Sequence, residues 1–299
     1  MSRSDKGCAA DVALERFLMA LVDRIRSFRP PDFARLCPFR IDGMTVGWMR
    51  RPFAETLREF PEIFTVEDHQ VVLDPDFTTP AMRSDALATA VATLHAAGVI
   101  RKIRGETFPV SMSVGSPPLL VLDRGAIPHF GTRACGVHLN GYVGRGTAMK
   151  LWVGRRAKDK SVAPGKFDNL VAGGQPSGLG LFDTLIKEGR EEADMAERLV
   201  RQARPTGFCS YLIEHDAGIR NDLLFNFDLE LPAEFEPRNT DGEIDEYQLW
   251  PIADVIERMA ETEDFKFNVV LVNIDFLVRH GLLTPDDADY VEIVRGLHR

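Results

Sequence analysis

Apolar positions recur at helical spacing in the first part of the chain. Residues 12–28 place apolar side chains three and four positions apart, which predicts an amphipathic helix. Short alternating runs around an Asp-Gly pair predict a hairpin at 39–48. The following segments predict a helix at 52–60, an extended segment at 64–73, and a helix at 84–97 with Ser84 as its N-cap. This order of elements is typical of a small α+β unit.

Strand spacing replaces helical spacing from residue 136 onward. Alternating runs predict a hairpin whose strands lie at 137–142 and 149–155. Two more strands are predicted at 206–214 and 221–231, and helices are predicted at 253–260, 268–280 and 285–297. We therefore predict two domains, an accessory α+β domain at 1–130 and a larger α/β domain at 131–299.

Composition narrows the class of protein. The chain has 299 residues, of which 44% are apolar and 27% charged, as in soluble globular proteins. A net charge of −9 argues against a nucleic-acid partner. No apolar run reaches the roughly 20 residues of a membrane helix, and the N-terminus lacks the apolar region of a secretory signal. The four cysteines form no CxxC pair. These features predict a cytoplasmic protein with reduced thiols and no membrane partner.

Three glutamates cluster at helical spacing within residues 168–195. Glu188, Glu191 and Glu192 are three and four positions apart, so a helix places their carboxylates on one face. Acidic helix faces are most often solvated, and like charges repel unless a cation lies between them. Hard oxygen ligands suit Mg²⁺ or Mn²⁺. The sequence therefore has two interpretations here, a solvated surface or a metal site with these three residues as ligands.

A glycine-rich loop precedes the predicted helix. Gly173 and Gly174 allow the backbone to turn tightly and to approach a ligand, directly before a helix N-terminus that favours anions. Cations lie upstream, where Arg155, Arg156 and Lys160 follow a predicted strand. They either bind substrate phosphates or are simply solvated. Together with the glutamates, the loop predicts a site for a diphosphate compound.

The loop and helix resemble the signature of the Nudix hydrolases. That signature is Gly, five residues, Glu, seven residues, Arg-Glu, an aliphatic residue, any residue, Glu-Glu, any residue, Gly and an aliphatic residue. Here its register holds without a gap from Gly173, although Leu179, Lys187 and Asp194 replace the first Glu, the Arg and the last Gly. We expect a pair between Asp183 and Lys187 to substitute for the lost contacts. Asp also tolerates the left-handed backbone conformation better than most residues.

The resemblance implies both a fold and a chemistry. The implied fold, of class α/β (α+β), is a Nudix α/β/α sandwich with a mixed sheet, preceded by the small α+β accessory domain. The implied activity is metal-dependent hydrolysis of a diphosphate linkage, with Mg²⁺ or Mn²⁺ held by Glu188, Glu191 and Glu192. Nudix proteins often use a further carboxylate as a metal ligand or general base. Glu243 and Glu246 are the candidates, and the sequence does not choose between them.

Further stretches resemble the Nudix proteins related to thiamine pyrophosphokinase fusions. The segments that carry this resemblance are IDGMTVGW, FPEIF and RGETFPV in the accessory domain and RRAKDKSVAPGKFDN before the glycine loop. They imply that the substrate is thiamine diphosphate or an oxidised or damaged analogue, cleaved to the monophosphate and orthophosphate. Trp48, Phe108 and Tyr142 are candidates to stack on the substrate ring.

Two other functions are open at the level of sequence. One is a Nudix hydrolase of ADP-ribose, dinucleotides or sugar nucleotides, and the other is a non-catalytic sensor of a diphosphate ligand, given the departures from the signature. A kinase is disfavoured because the chain has no GxxxxGK[ST] loop. In each case the expected partner is a small-molecule diphosphate, and the sequence leaves a homodimer open.

Overall fold

The computed structural model describes residues 19–160 and 162–299. The first part of the helix predicted at 12–28 lies outside these residues, and 19–27 are helical (α1). The other helices are α2 (Arg51–Thr56), α3 (Pro80–Ala96), α4 (Ile127–Phe130), α5 (Leu181–Ala193), α6 (Glu197–Val200), α7 (Ile252–Glu261), α8 (Val269–Arg279) and α9 (Tyr290–Gly296). The strands are β1 (Leu36–Ile41), β2 (Met44–Arg50), β3 (Phe64–Val66), β4 (Val71–Leu73), β5 (Thr107–Val110), β6 (Leu120–Asp123), β7 (Arg133–Val143), β8 (Lys150–Arg156), β9 (Phe167–Asp168), β10 (Val171–Gly174), β11 (Arg204–His215), β12 (Gly218–Glu230) and β13 (Ile244–Pro251).

The accessory part of the chain folds around a four-stranded sheet. The strand order is β2-β1-β4-β3, with β1 antiparallel to β2 and parallel to β4. The predicted hairpin is confirmed, since Asp42 and Gly43 join β1 to β2 with φ angles of 50° and 77°, which these residue types tolerate. Helix α3 and the antiparallel pair β5–β6 complete one hydrophobic cluster, which includes Phe39, Leu87 and Phe130.

The larger sheet has the mixed arrangement that the sequence predicted. Its main path is β11-β12-β7-β8-β13, with β10 added to β7 and β9 to β8. Strands β12 and β7 run parallel, whereas β7 and β8 are antiparallel. Along β8, Leu151 and Val153 join a core cluster with α7 and α8, and Trp152 joins another with α5 and α6, because successive side chains of a strand point to opposite faces. Helices cover both faces, which confirms the predicted α/β/α sandwich.

Helix α1 packs with the larger sheet. Leu21, Val22 and Ile25 are buried in the cluster that contains α8, and Arg26 pairs with Glu292 of α9 at 2.7 Å. The chain therefore contributes α1 to the larger unit before it enters the accessory sheet. The domain limits at 1–130 and 131–299 stay a prediction.

Helix α3 begins earlier than predicted. The Thr79 hydroxyl accepts a hydrogen bond from the Met82 backbone N–H at 3.2 Å and is the N-cap, and Pro80 occupies the first turn. A Pro in this position favours a helix start because it has no N–H to satisfy. Ser84 lies inside the helix, where its hydroxyl donates to the Pro80 carbonyl at 2.6 Å. The prediction of Ser84 as N-cap was therefore wrong.

Helix α9 begins later than predicted. The Asp287 carboxylate accepts hydrogen bonds from the Thr284 N–H at 2.6 Å and hydroxyl at 3.0 Å, which closes a turn before the helix. Local side-chain bonds of this kind compete with helix formation. Across the two described ranges, no helix is long and apolar enough to cross a membrane, and Cys37, Cys135 and Cys209 are free thiols.

Candidate active site

Helix α5 carries the three glutamates of the predicted metal site. Near its start, the Thr184 hydroxyl donates to the Gly180 carbonyl at 2.8 Å. The helix ends at Asp194, whose φ of 52° is left-handed, so the predicted tolerance of Asp at this position is confirmed. Gly189 is a further departure from the signature, which places an aliphatic residue there. A Cβ at this position would lie 3.0 Å from Cγ2 of Val200 in α6, so the close packing of the two helices favours glycine.

Glu192 is buried beneath the glycine loop. Its side chain is 2% exposed, and its carboxylate accepts a hydrogen bond from the Ala172 backbone N–H of β10 at 2.8 Å. Burial raises the pKa of Glu192 well above its ordinary value, and the nearby charges of Glu188, Asp168 and Glu243 raise it further despite the Ala172 bond. The helix therefore holds a carboxylate in a place where a negative charge is costly.

Glu188 lies against Gly173, and a cation lies beside it. A Cβ on Gly173 would be 2.3 Å from Cγ of Glu188, so a larger residue here would force the Glu188 side chain to move. The Lys187 ammonium is 3.0 Å from Oε1 of Glu188 and 2.7 Å from Oε2 of Glu191. Burial raises the pKa of Glu188, although Lys187 opposes this effect. The pair expected between Asp183 and Lys187 was wrong, because Lys187 turns toward the two glutamates instead.

The donor atoms of this helix face fit the predicted divalent cation. The Lys187 ammonium already occupies a position between the carboxylates of Glu188 and Glu191, and hard carboxylate oxygens suit Mg²⁺ and Mn²⁺. Among the described residues, no three His, Cys, Asp or Glu side chains are already grouped closely enough to hold a metal ion. A divalent ion that used both carboxylates would therefore displace the ammonium of Lys187.

The two further carboxylate candidates occupy different places. Glu243 is close enough to Glu188 and Glu192 to influence the pKa of each, and it pairs with Lys160 at 2.5 Å. Burial alone would raise the pKa of Glu243, but Lys160 holds it below its ordinary value. Glu246 instead pairs with Arg155 across β13 and β8 at 2.8 Å. The geometry thus brings Glu243, and not Glu246, to the glutamates of α5.

A cleft of about 800 Å³ lies between the larger sheet and the antiparallel pair β5–β6, which we call the accessory hairpin. The larger unit contributes Gly173, Gly174, Arg156, Lys160 and Glu243, and the accessory part contributes Arg104, Phe108 and Arg124. Among the described residues that line the cleft, eight are Lys or Arg and three are Asp or Glu. The cations are Arg101, Lys102, Arg104, Arg124, Arg156, Lys160, Arg220 and Lys266, and the acids are Asp216, Asp222 and Glu243. The cleft is therefore suited to an anionic ligand.

The predicted phosphate-binding cations are already in ion pairs. Arg156 is 7% exposed, and its guanidinium lies 2.8 Å from the carboxylate of buried Asp168. The ammonium of Lys266 contacts the same carboxylate at 3.1 Å. Arg155 lies over the ring of Phe167 at 4.5 Å and is not among the described residues that line the cleft. Of the predicted substrate-binding set, the structure brings Arg156, Lys160, Gly173 and Gly174 to the cleft.

A buried polar network beneath the cleft was not predicted. Nδ1 of His138 lies 2.8 Å from Oδ1 of Asn169, and Nδ2 of Asn169 donates to the side-chain oxygens of Asn140 and Asn273, each at 2.9 Å. Burial, with the nearby charge of Lys266, lowers the pKa of His138 to about 4. A signal was present in the sequence, because Asp168 and Asn169 interrupt an apolar run that otherwise predicts a buried strand.

Two of the three aromatic candidates for ring stacking lie elsewhere. Trp48 packs edge-on against Phe33 at 4.8 Å, and Tyr142 packs against His280 at 5.0 Å. Neither is among the described lining residues, whereas Phe108 is. The spacing of these three residues along the chain did not indicate which of them would line the cleft.

The chain is similar to two plant proteins over most of its length. It is 39% identical over 269 residues to Nudix hydrolase 20, chloroplastic, of Arabidopsis thaliana, a match that covers 87% of this chain and 72% of the relative. It is 39% identical over 262 residues to Nudix hydrolase 24, chloroplastic, of the same plant, with the same two coverages. The chain belongs to the Nudix hydrolase family. It is a Nudix pyrophosphohydrolase, which acts on diphosphate linkages, and Nudix hydrolases generally use divalent ions such as Mg²⁺ or Mn²⁺.

Two further comparisons concern parts of this Nudix hydrolase. A family model described as a domain of unknown function, DUF4743, matches residues 19–134. Among solved structures, the NUDIX domain of Shewanella oneidensis NrtR complexed with ADP ribose is 13% identical, with a TM-score of 0.40, covering 54% of this chain and 94% of that one. Since the chain belongs to a family of hydrolases, the alternative of a non-catalytic sensor is set aside.

The predicted cytoplasmic location of this Nudix hydrolase is contradicted by its relatives. Both Arabidopsis proteins are named chloroplastic. The prediction relied on the lack of an apolar N-terminal region. Such an apolar region is a property of secretory signals. Chloroplast transit peptides are instead amphipathic and rich in Arg and Ser, so the lack of an apolar region does not argue against them.

Proposed function

We propose that this Nudix hydrolase cleaves the diphosphate of thiamine diphosphate or of its oxidised or damaged analogues, giving the monophosphate and orthophosphate. The observation that carries the proposal is the contact of Glu188 in the acidic helix with Gly173, which lines a cleft of about 800 Å³ in which cations outnumber acids. The choice of thiamine compounds rests on the resemblance of the accessory and loop segments to Nudix proteins related to thiamine pyrophosphokinase fusions.

The charge of the cleft favours particular members of this substrate class. Thiamine diphosphate carries a positively charged thiazolium ring, which the surrounding Lys and Arg side chains would repel. An analogue whose ring has been oxidised to a neutral form keeps the anionic diphosphate and avoids this repulsion. We therefore expect such neutral-ring analogues to be hydrolysed more efficiently than thiamine diphosphate itself.

The proposed roles follow from the geometry of the carboxylates. Glu188, Glu191 and Glu192 would hold Mg²⁺ or Mn²⁺. When bound, such an ion neutralises charge on phosphate oxygens and lowers the pKa of an attacking water. Glu243 would accept the proton of that water, since Lys160 keeps this carboxylate ionised. Glu246 is the weaker candidate, because it pairs with Arg155 and neither residue is among the described residues that line the cleft.

The glycines and cations have proposed roles in substrate binding. Gly173 and Gly174 line the cleft, where the lack of a side chain lets Glu188 and Phe108 approach the backbone closely. Lys160 and Arg156 also reach the cleft and would contribute positive charge there. The proposed contact of Arg155 with substrate needs its guanidinium to leave Glu246.

A second candidate function is hydrolysis of ADP-ribose, a dinucleotide or a sugar nucleotide. The size of the cleft favours it, since about 800 Å³ lies toward the upper end of the range for sites that bind small molecules. The two functions differ in their products, because a substrate with an adenosine diphosphate group yields AMP.

The test is incubation with Mg²⁺ or Mn²⁺ and a panel of thiamine diphosphate, oxidised thiamine diphosphates, ADP-ribose and NADH. Glu191→Gln is the variant expected to be inactive, and Glu197→Gln, at an exposed ion pair of the next helix, is the matched control. Orthophosphate and a thiamine-type monophosphate, absent with Glu191→Gln, support the first function. AMP supports the second, and equal activity of wild type and Glu191→Gln overturns the proposed roles.

A further inference from the structure

The accessory hairpin β5–β6 contacts the glycine loop directly. Phe108 of β5 packs on Gly174, where a Cβ would lie 2.3 Å from Cζ of the ring. The Ser177 backbone N–H donates to the Thr107 carbonyl at 2.8 Å. A buried aromatic contact and a backbone hydrogen bond thus fix the hairpin against the segment that leads into α5.

Two arginines that flank the strands of this hairpin, Arg104 before β5 and Arg124 after β6, line the cleft. The guanidinium carbon of Arg124 lies 5.3 Å from the centre of the Phe108 ring, and Arg104 precedes β5 on the neighbouring chain segment. The backbone N–H of Arg104 is fixed by the Asp123 carboxylate at 3.1 Å. Burial lowers the pKa of Arg104, and the nearby charge of Arg124 lowers it further, whereas Asp123 and Glu243 raise it. Two positive charges are therefore held close together, within electrostatic range of Glu243.

The cations of the larger unit are occupied by its own carboxylates. Lys160 pairs with Glu243 at 2.5 Å. Arg156 and Lys266 share the buried carboxylate of Asp168, at 2.8 Å and 3.1 Å. A diphosphate that enters the cleft needs donors beyond these, because breaking a buried ion pair is costly.

Arg124 keeps donors available although it has an acidic neighbour. Its guanidinium pairs with Glu106 at 2.9 Å, and the side chains are 50% and 30% exposed. A pair this exposed is weak. A guanidinium also has five N–H donors in a planar fork, which matches two phosphate oxygens at once.

We propose that Arg104 and Arg124 of the accessory region bind the phosphate groups of the substrate, so that the accessory region completes the diphosphate site of the larger unit. This inference rests on the proposed diphosphate hydrolysis for its ligand class. It gives the accessory region a direct part in substrate binding, through the Arg124 guanidinium over the Phe108 ring and through Arg104, whose backbone N–H is held by Asp123.

The test measures binding without turnover. The full chain is titrated with methylenediphosphonate, a diphosphate that is not hydrolysed, by isothermal calorimetry in EDTA so that metal bridging does not contribute. Arg104→Gln and Arg124→Gln should each raise Kd about tenfold or more, as expected for loss of a charge-assisted hydrogen bond. Arg58→Gln, at an exposed ion pair of the same region outside the cleft lining, should leave Kd unchanged.

A second pair of variants separates lost binding from lost folding. Arg124→Lys and Arg104→Lys keep the charge without the planar fork, and each should bind the probe with an affinity between those of wild type and the Gln variant. Unchanged Kd in both Gln variants, with thermal melts like those of wild type, overturns the inference. If the variants weaken binding of the probe but wild type hydrolyses none of the panel, the inference stands and the proposed function fails.

Discussion

Two groups of buried carboxylates lie around the larger sheet, and they differ in how their charge is balanced. Asp168 pairs with Arg156 and Lys266, and Asp228 pairs with Arg279 and His280. Burial alone would raise the pKa of both aspartates, but the charges of Lys266 and Arg156 hold the pKa of Asp168 below its ordinary value, and hydrogen bonds from His280 and Arg279 do the same for Asp228. These charges are satisfied within the fold and contribute to its stability.

The glutamates of α5 show the opposite behaviour. Burial raises the pKa of both Glu188 and Glu192 above the ordinary value. Within the described residues, no Lys or Arg pairs with Glu192, whose hydrogen-bond donor is the Ala172 N–H. A buried charge without a partner weakens the fold, and such groups concentrate at functional sites. The comparison indicates that the first group serves structure, and it supports the proposal that the second group binds a divalent cation.

The largest expected effect is on catalysis, from Glu192→Gln. The amide keeps an oxygen to accept the Ala172 N–H but removes the charge, so we expect kcat/KM to fall at least about a thousandfold, or about 4 kcal/mol. In EDTA the same variant should be more stable than wild type to urea, because burial, which raises the pKa of the Glu192 carboxyl, no longer acts against a negative charge at this position. A variant that is inactive and also less stable would contradict the comparison.

The same kind of substitution at Asp168 should act in the opposite direction on stability. Asp168→Asn leaves Arg156 and Lys266 as buried charges without their carboxylate. We expect the free energy of unfolding to fall by about 3 to 5 kcal/mol, measured by urea denaturation at neutral pH. Stability equal to wild type would show that this network does not depend on its ion pairs.

His138 offers a pH-dependent test of the network. Its pKa is lowered from 6.5 to about 4 in the folded protein, so the unfolded chain binds the proton more tightly. Stability is therefore full above pH 6.5 and falls as the pH drops from 6.5 toward 4, with a total loss of about 3 kcal/mol. In urea titrations from pH 7 to pH 4, His138→Gln should remove this part of the loss. An identical pH profile in the variant would count against a buried neutral imidazole.

Metal binding should give the smallest of the four effects. Wild type should be stabilised by Mg²⁺ or Mn²⁺ by about 2.7 kcal/mol at a hundredfold excess over Kd, since the ion would relieve repulsion among the α5 carboxylates. We would measure this stabilisation as a rise in melting temperature on addition of the metal ion. Glu192→Gln should lose most of the rise, whereas Glu197→Gln should keep it. A metal-induced rise that is the same in all three proteins would place the ion elsewhere.

The acidic helix face could be predicted from sequence because it depends on local spacing. Residues three and four apart share a helix face whatever surrounds them, so the helix that carries Glu188, Glu191 and Glu192 could be predicted, whereas their role as metal ligands stays a prediction. The hairpin strands of the larger sheet were likewise predicted from alternation, whereas its mixed arrangement was expected from the resemblance to the Nudix family. Competition between nearby candidate N-caps was harder to judge. At the start of α3, Thr79 rather than Ser84 is the N-cap.

The partners of each charge could not be predicted, because they come from distant parts of the chain. Asp183 and Glu191 each lie four positions from Lys187, and in the fold Lys187 pairs with Glu191. Glu243 and Glu246 differ by three positions, yet β13 pairs the second with Arg155 while Lys160 holds the first at the cleft. The contact of Phe108 with Gly174 joins residues of different sheets, which no spacing rule describes.

The position of α1 has a consequence for motion. Because α1 packs with α8, the accessory sheet is an excursion of the chain that leaves the larger unit after α1 and returns to it at β7. It is thus tethered at two points instead of hanging from one linker. Such an arrangement opposes free swinging, and the packing of Phe108 on Gly174 keeps the arginines beside β5 and β6 close to the glycine loop.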